Sequence, residues 1–124
     1  MPTRPASRAR DAVQHSARLD RLFQALADAS RRQMIDRLSA GPASVSELAQ
    51  PLAMALPSVV KHLAVLESGG IVLSEKRGRV RTYRIAPDAL ALVEGWIAER
   101  KARYQSQFDA LERYLASQPD EDEA

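Results

Sequence analysis

Apolar residues recur with helical spacing along the first third of the chain. Four of them follow the i, i+3, i+4, i+7 pattern of an amphipathic helix: Leu19, Leu22, Phe23 and Leu26. A second helix is predicted from Ser30, acting as N-cap, to about Ala40, ahead of the stop formed by Gly41 and Pro42. The pattern therefore favours two consecutive helices with a short connection.

Two shorter helices are predicted after this stop. Ser44 and Glu47 have the S-x-x-E spacing of a capping box, which starts a third helix that Pro51 should shorten. A fourth helix is predicted from Pro57, whose missing N–H costs nothing at the first helical position, to Ser68. Two glycines follow at once and supply the conformations that end a helix.

The fourth helix has two different faces. At about 100° per residue, Val59, Leu63 and Leu66 share one side. The opposite side carries small and basic residues: Pro57, Val60, Lys61 and Ala64. Such a face suits insertion into the major groove of DNA, where Lys61 can reach a base acceptor or a phosphate. A short third helix, a tight connection and this fourth helix predict a helix-turn-helix.

A basic hairpin is predicted directly after the fourth helix. Its strands, 71–76 and 80–85, flank the tripeptide Arg77-Gly78-Arg79, in which Gly78 can take the positive φ of a tight turn. A hairpin in this position is typical of a wing, whose arginines lie along the phosphate backbone or enter the minor groove. A solvated hairpin tip is the alternative interpretation of the charge.

The C-terminal part predicts one long helix. From Ala86 and Pro87 onward no proline occurs before Pro119 and Gly95 is the single glycine, so the helix should approach thirty residues. It carries an apolar stripe with partly heptad-like spacing: Leu90, Val93, Ile97, Tyr104, Phe108, Leu111 and Leu115. A second subunit would cover this stripe. Packing onto the first helix is the alternative, and the two are compatible.

Composition supports one mainly α domain with a small β-hairpin. The 124 residues are 45% hydrophobic but only 5% aromatic, which disfavours an all-β fold. The chain has no cysteine, so a disulfide framework and a thiolate metal site are not expected. No run of eighteen apolar residues and no secretion signal is recognisable, so a cytoplasmic location without a membrane partner is expected.

The formal net charge of +2 is unevenly distributed. The last five residues, DEDEA, hold four carboxylates, so residues 1–119 carry 18 basic and 12 acidic side chains and a net charge of +6. The body of the chain is therefore basic, which fits a polyanionic partner. The expected organisation is a flexible basic tail at 1–17, a winged helix-turn-helix domain at 18–86, a dimerisation helix at 87–117 and an acidic tail at 118–124.

These motifs resemble the ArsR-type winged-helix transcriptional regulators of bacteria. The resemblance covers Leu19 to Arg84 and includes the segments SVSELAQPL, LPSVVKHLAVLESGGIV and EKRGRVRTYRI. It implies a homodimer that binds a palindromic operator, usually as a repressor, with the first and last helices at the dimer interface. The chain departs from the family pattern at Ala55 and Val60, where serines are common, so base readout is expected to differ there.

From these patterns we assign candidate residues to two surfaces. The residues expected at double-stranded DNA are Pro57, Ser58, Val60, Lys61, His62, Arg77, Arg79 and Arg81. Those expected at the homodimer interface are Leu19, Leu22, Leu90, Val93, Ile97, Tyr104, Phe108, Leu111 and Leu115. The roles of His62 and Arg81 stay open. His62 lies at the margin of the buried side of the fourth helix, so it can pack or contact a phosphate rather than read a base. The stem of Arg81 can cover the core instead of contacting DNA.

The sequence gives little support for metal binding or catalysis. Two histidines, His15 and His62, do not make a zinc or soft-metal ligand set, so no metal or cofactor is expected. No phosphate-binding glycine loop or serine nucleophile motif occurs, so the chain is not expected to be an enzyme. The competing functions are a winged-helix module for protein binding and a nonspecific chromosome-associated protein. An effector, whether small molecule or protein, is unidentified.

Overall fold

The computed structural model of the chain describes residues 5–119, with side chains from residue 8 onward. Its helices and strands follow in this order: α1 (Pro5–Leu26), α2 (Ala29–Ser39), β1 (Ala43–Ser44), α3 (Val45–Ala49), α4 (Leu56–Ser68), β2 (Val72–Arg77), β3 (Val80–Ile85) and α5 (Ala91–Ser117). The chain divides into two compact units, residues 1–91 and 92–124. The predicted fold class is confirmed: it is mainly α with a small antiparallel sheet and a long C-terminal helix.

The first helix is longer than predicted. Helix α1 begins at Pro5, so residues 5–17 are helical where a flexible tail was expected, and residues 1–4 lie outside the described residues. Proline suits the start of a helix, and the alanine, arginine and glutamine that follow are good helix formers. Residues 8–16 are all exposed. Apolar periodicity therefore gave no sign of this extension.

Helix α2 is capped by Asp28 rather than by Ser30. Asp28 has extended backbone angles, φ −130° and ψ 132°, and its Oδ1 accepts the backbone N–H of Arg31 at 3.1 Å. This hydrogen bond, reinforced by the charge of Arg31, lowers the pKa of the Asp28 carboxyl from its ordinary value. Aspartate is as good a cap as serine, and the connection after α1 is only two residues long, so the helix starts earlier than predicted.

The predicted capping box at the start of α3 is confirmed. The Ser44 hydroxyl accepts the backbone N–H of Glu47 at 3.3 Å, and Glu47 Oε1 accepts the backbone N–H of Ser44 at 3.3 Å. The α-helix ends at Ala49 and continues as one 3₁₀ turn through Pro51, as the proline predicted. Leu48 on this helix is buried.

The hairpin is confirmed, with one additional strand. Strands β2 and β3 pair antiparallel around Gly78, which has a φ of +62° that favours glycine. Strand β1 pairs with the other edge of β3, placing Ala43 opposite Tyr83, so the sheet order is β1-β3-β2. This two-residue strand was not predicted, because an Ala-Ser dipeptide has no β-branched or aromatic side chain to indicate it.

The core of the N-terminal unit is formed by side chains from α1, α2, α3 and α4 together with residues of the sheet and Ile71 just before it. The largest fully buried ones are Met34, Leu48, Val59, Leu63, Leu66, Ile71 and Val72. Three of them belong to α4 and are the residues predicted to face inward. Burying a side chain of this size stabilises the fold by about 1.5 to 3 kcal/mol. The core therefore fixes which side of α4 remains exposed.

The C-terminal unit consists of most of α5, which starts four residues later than predicted. Pro87 and Asp88 form a turn instead, with Ala89 N–H donating to the Ala86 carbonyl at 3.1 Å. Proline followed by aspartate is a strong turn signal, which here outweighs helix propensity. Leu90 consequently lies in the turn.

Within residues 5–119, no single helix is long and apolar enough to cross a membrane. The segments Val45–Leu52 and Leu56–Ser68, bent by 111° relative to each other, reach that length and composition only as a pair.

Substituting Gly69 with alanine is expected to destabilise the protein. An added Cβ would lie 3.0 Å from Ala25 Cβ and 3.0 Å from the Arg21 carbonyl oxygen, where α1 crosses the end of α4. Overpacking of this kind costs about 1 to 3 kcal/mol, which urea unfolding would measure. Gly95→Ala is the matched control, since that Cβ meets nothing within 4 Å and should stabilise α5 slightly. Equal stability of the two variants would contradict the close approach.

Candidate nucleic-acid interface

Helix α4 presents a small, basic face to solvent. Pro57, Val60, Lys61 and Ala64 are all exposed, as predicted, while Ser58 is partly buried. The N-cap residue, Ala55, makes no side-chain hydrogen bond to the helix. No acidic residue occurs from Leu56 to Leu66, so the exposed face has no carboxylate over its first three turns. Such a face can approach a polyanion without charge repulsion.

The buried side of α4 gives this face a fixed orientation. Val59, Leu63 and Leu66 have no solvent-accessible surface. The helix ends at Ser68; the N–H of the next residue, Gly69, donates to the Val65 carbonyl at 2.9 Å, and Gly70 follows with a φ of +75°. A rigid element holds a contact surface more accurately than a loop does. The exposed side chains of α4 therefore project from a well-packed support.

His62 joins α4 to α2 instead of facing solvent. Its side chain is 19% exposed, and its Nδ1 lies 3.1 Å from Nη1 of Arg31 and 4.0 Å from Oδ1 of Asp28. Because a guanidinium only donates, we assign Nδ1 as the acceptor and place the proton of the neutral ring on Nε2. The structure thus shows a packing contact of His62 with α2, while a phosphate contact of this residue stays a prediction.

Arg31 also closes the C-terminal end of α1. Its Nε donates to the Ala25 carbonyl at 2.9 Å and its Nη2 to the Gln24 carbonyl at 2.7 Å, while Arg32 donates to the Leu26 carbonyl at 2.7 Å. The last carbonyls of a helix have no intrahelical partner beyond its final turn, and of these three only that of Gln24 also accepts a backbone N–H, from Ala27 at 3.2 Å. Arg31 therefore connects α1, α2 and α4. Sequence reasoning missed it, because no local pattern distinguishes it from a solvated arginine.

The wing presents arginines in three different settings. Arg77 pairs with Glu75 on the same strand, with Nη2 and Oε1 3.4 Å apart, and both side chains are well exposed. Arg79 lies in the turn and is exposed. Arg81 is exposed as well and donates from Nη1 to the Ser74 hydroxyl at 2.8 Å. The first pair is worth little in water, so Arg77 can exchange Glu75 for another anion.

Ser74 connects the wing to the end of α4. Its hydroxyl accepts from Arg81 and donates to Glu67 Oε1, both at 2.8 Å. Burial, reinforced by the nearby Glu67 carboxylate, raises the pKa of the Tyr83 hydroxyl on the same face of the hairpin. The alternative in which Arg81 covers the core is not observed. Its guanidinium instead holds the wing in place through Ser74.

A like-charge pair at the wing was missed by the sequence reasoning. Lys76 lies directly opposite Arg81 in the antiparallel pairing of β2 and β3, and both side chains are exposed. Like charges directly opposite each other destabilise a hairpin. The arrangement becomes favourable when an anion lies against it, so Lys76 joins the arginines as a candidate phosphate contact. Strand register, which the sequence did not define, was needed to find this pair.

The residues assigned to the dimer interface fall into two groups. Leu19, Leu22 and Val93 are already buried in the single chain and have little further surface to lose to a partner. Six others remain between 41% and 63% exposed: Leu90, Ile97, Tyr104, Phe108, Leu111 and Leu115. Five of these lie on α5 at positions 97, 104, 108, 111 and 115, which is a heptad-like series. Trp96, beside the series, stacks under the Arg100 guanidinium at 4.4 Å.

Comparison with known proteins gives concordant results. Residues 26–75 match a family model for a helix-turn-helix domain. The arsenical resistance operon repressor of Escherichia coli is 34% identical over 98 residues, which cover 78% of this chain and 84% of the repressor. A crystal structure of an ArsR family transcriptional regulator has 48% identity and a TM-score of 0.70, covering 73% of this chain and 94% of that one.

A further solved structure shares the fold at lower identity. The solution structure of a homodimeric winged helix-turn-helix DNA-binding domain from Mycobacterium bovis has 28% identity and a TM-score of 0.60. The match covers 79% of this chain and 90% of that domain. The predicted resemblance is thus confirmed by sequence and by fold. The chain belongs to the ArsR family of winged helix-turn-helix transcriptional regulators.

Proposed function

We propose that the protein is a homodimeric repressor that binds a palindromic DNA operator through α4 and the β2–β3 wing. The observation that carries this proposal is the exposed face of α4, which has no carboxylate over three turns and is followed by the opposed cations Lys76 and Arg81. A polyanion would relieve the repulsion at the wing while the helix enters the major groove.

The two elements are expected to make different kinds of contact. Lys61 projects from the well-packed helix α4 and can donate to acceptors on base edges in the major groove. Arg77, Arg79 and Arg81 lie at or near the turn of the wing, beside the helix rather than on it, and contact the phosphate backbone. Base contacts specify the sequence, whereas phosphate contacts determine position.

The exposed stripe on α5 supports the dimer. Large apolar side chains at heptad-like spacing are typical of a helix that packs against another helix. The Mycobacterium bovis relative is a homodimer. A two-fold dimer presents two identical α4 helices, and the DNA that matches it is an inverted repeat. Repression follows if the bound dimer covers promoter DNA, and the related Escherichia coli protein is a repressor.

The chain does not fit a soft-metal sensor. It has no cysteine, and its histidines are forty-seven positions apart at His15 and His62. Within residues 5–119, no three His, Cys, Asp or Glu side chains come together in a way that could hold a metal ion. The signal we propose is therefore a small molecule or a partner protein.

Selection from a random duplex library tests this function. Duplexes that the protein retains would be sequenced over several rounds, and the enriched motif is expected to be an inverted repeat. Its half-sites should lie about one helical turn apart, on the order of 10 base pairs. Retention of DNA without an enriched motif would indicate a nonspecific chromosome-associated protein. No retention at all would favour a protein-interaction module.

Removing a wing arginine is expected to weaken binding to every DNA sequence alike. Arg79→Ala should lower the slope of log affinity against log salt by about one for each lost phosphate contact. Titrations of selected and scrambled duplexes at several salt concentrations would measure this slope. Arg113→Ala, an exposed arginine on α5, is the control and should leave the slope unchanged. A loss confined to the selected duplex would show that the wing reads bases.

A further inference from the structure

Two apolar side chains on α4 are exposed without a structural reason. Leu56 is 51% exposed and Val60 is 47% exposed, and they are neighbours one turn apart on the helix. The α4 side chains that enter the core are those of Val59, Leu63 and Leu66. An exposed pair of branched apolar residues on a helix this well packed indicates a contact with a partner.

The surroundings of this pair define the partner. Pro57 and Ala64 are small and lie between Val60 and Lys61 around the helix axis, so another surface can come close there. Val60, Pro57 and Ala64 present no side-chain donor or acceptor, and no carboxylate lies nearby in the helix. The partner must therefore combine an overall negative charge with an apolar group that α4 can reach.

The floor of the DNA major groove has this combination. Among the base edges exposed there, the C5-methyl of thymine is the apolar group. We propose that Val60, supported by Leu56, reads a thymine methyl in each operator half-site, while Lys61 reads acceptors on a neighbouring base pair. This inference rests on the proposed function, and it names the base that the apolar side of α4 selects.

The test uses the duplex that the protein selects from a random library, with single thymines replaced by deoxyuridine. Deoxyuridine removes the methyl and keeps the Watson–Crick edge. At one thymine per half-site the wild-type protein should lose about fourfold in affinity, the equivalent of ~0.8 kcal/mol for one methyl. At that position cytosine should also weaken binding, and 5-methylcytosine should recover about the same fourfold.

Two variants identify the residue that causes the affinity difference between the thymine and deoxyuridine duplexes. Val60→Ala should bind the thymine and deoxyuridine duplexes equally, because the γ-methyl groups that reach the thymine methyl are removed. Val13→Ala is the matched control, since Val13 is exposed on α1 and its variant should keep the fourfold difference. Circular dichroism of both variants would verify that the helices remain intact.

Three other outcomes would overturn the inference or its basis. Specific binding that no deoxyuridine substitution weakens would refute methyl reading and leave the proposed function standing. A methyl effect that persists in Val60→Ala and disappears in Leu56→Ala would overturn the assignment to Val60. Failure to select any duplex would refute the proposed function itself, and the inference with it.

Discussion

A carboxylate introduced into the α5 stripe is expected to split the dimer into monomers and abolish operator binding in dilute solution. Phe108 is 63% exposed and Leu111 is 50% exposed in the single chain, so a partner subunit has large apolar surfaces to cover. Each side chain buried this way contributes up to about 1.5 to 3 kcal/mol. In a two-fold dimer Phe108→Asp or Leu111→Asp removes one apolar side chain from each subunit, so the free-energy loss is doubled. The buried, unpaired carboxylate destabilises the dimer further.

Light scattering at micromolar concentration measures this effect. Ser106→Asp is the control, because Ser106 lies on the opposite side of α5 from the stripe and should leave the dimer intact. A wild-type protein that is a folded monomer at this concentration would refute the role of the stripe. Variants that stay dimeric would place the interface elsewhere.

Replacing Lys61 with alanine is expected to remove much of the protein's sequence preference. One base-reading side chain is worth about 1 to 3 kcal/mol on the specific site and much less on random DNA. Paired titrations of Lys61→Ala on the selected duplex and on a scrambled duplex would show this difference. The opposite result would be that Lys61→Ala loses affinity equally for both duplexes while Arg79→Ala loses affinity only for the selected duplex. It would show that the wing reads the sequence and that the helix only anchors the protein.

The elements that were predicted well are those defined by local chemistry. The capping box of Ser44 and Glu47, the turn at Gly78 and the two glycines after Ser68 each act within a few residues. The two faces of α4 were predicted because helical periodicity separates core from surface over 13 residues. These signals do not depend on the rest of the fold.

The elements that were missed depend on distant partners or on exposed surfaces. Strand β1 exists because β3 has an edge that Ala43 and Ser44 can pair with. Residues 8–16 of α1 are exposed and carry no apolar pattern, so this part of the helix resembled a tail. Arg31 gains its role only when the end of α1, the start of α2 and His62 come together. Tertiary contacts of this kind are not encoded in local spacing.

The sequence predicted which residues of the candidate site are exposed but not the hydrogen bonds between them. The exposure of Val60 and Lys61 followed from periodicity, whereas the bond from Arg81 to Ser74 required the strand register. The burial of Leu19 and Leu22 was also missed, because an amphipathic pattern does not show whether its apolar side meets the same chain or a second copy.

The most direct test of the account is the ratio of two affinities. The wild-type dimer would be titrated, at one physiological salt concentration, on the selected duplex and on a scrambled duplex of the same length and composition. We expect the selected duplex to bind about a thousandfold more tightly or better, as sequence-specific regulators do. Affinities that agree within about tenfold would contradict sequence-specific regulation through α4 and the wing.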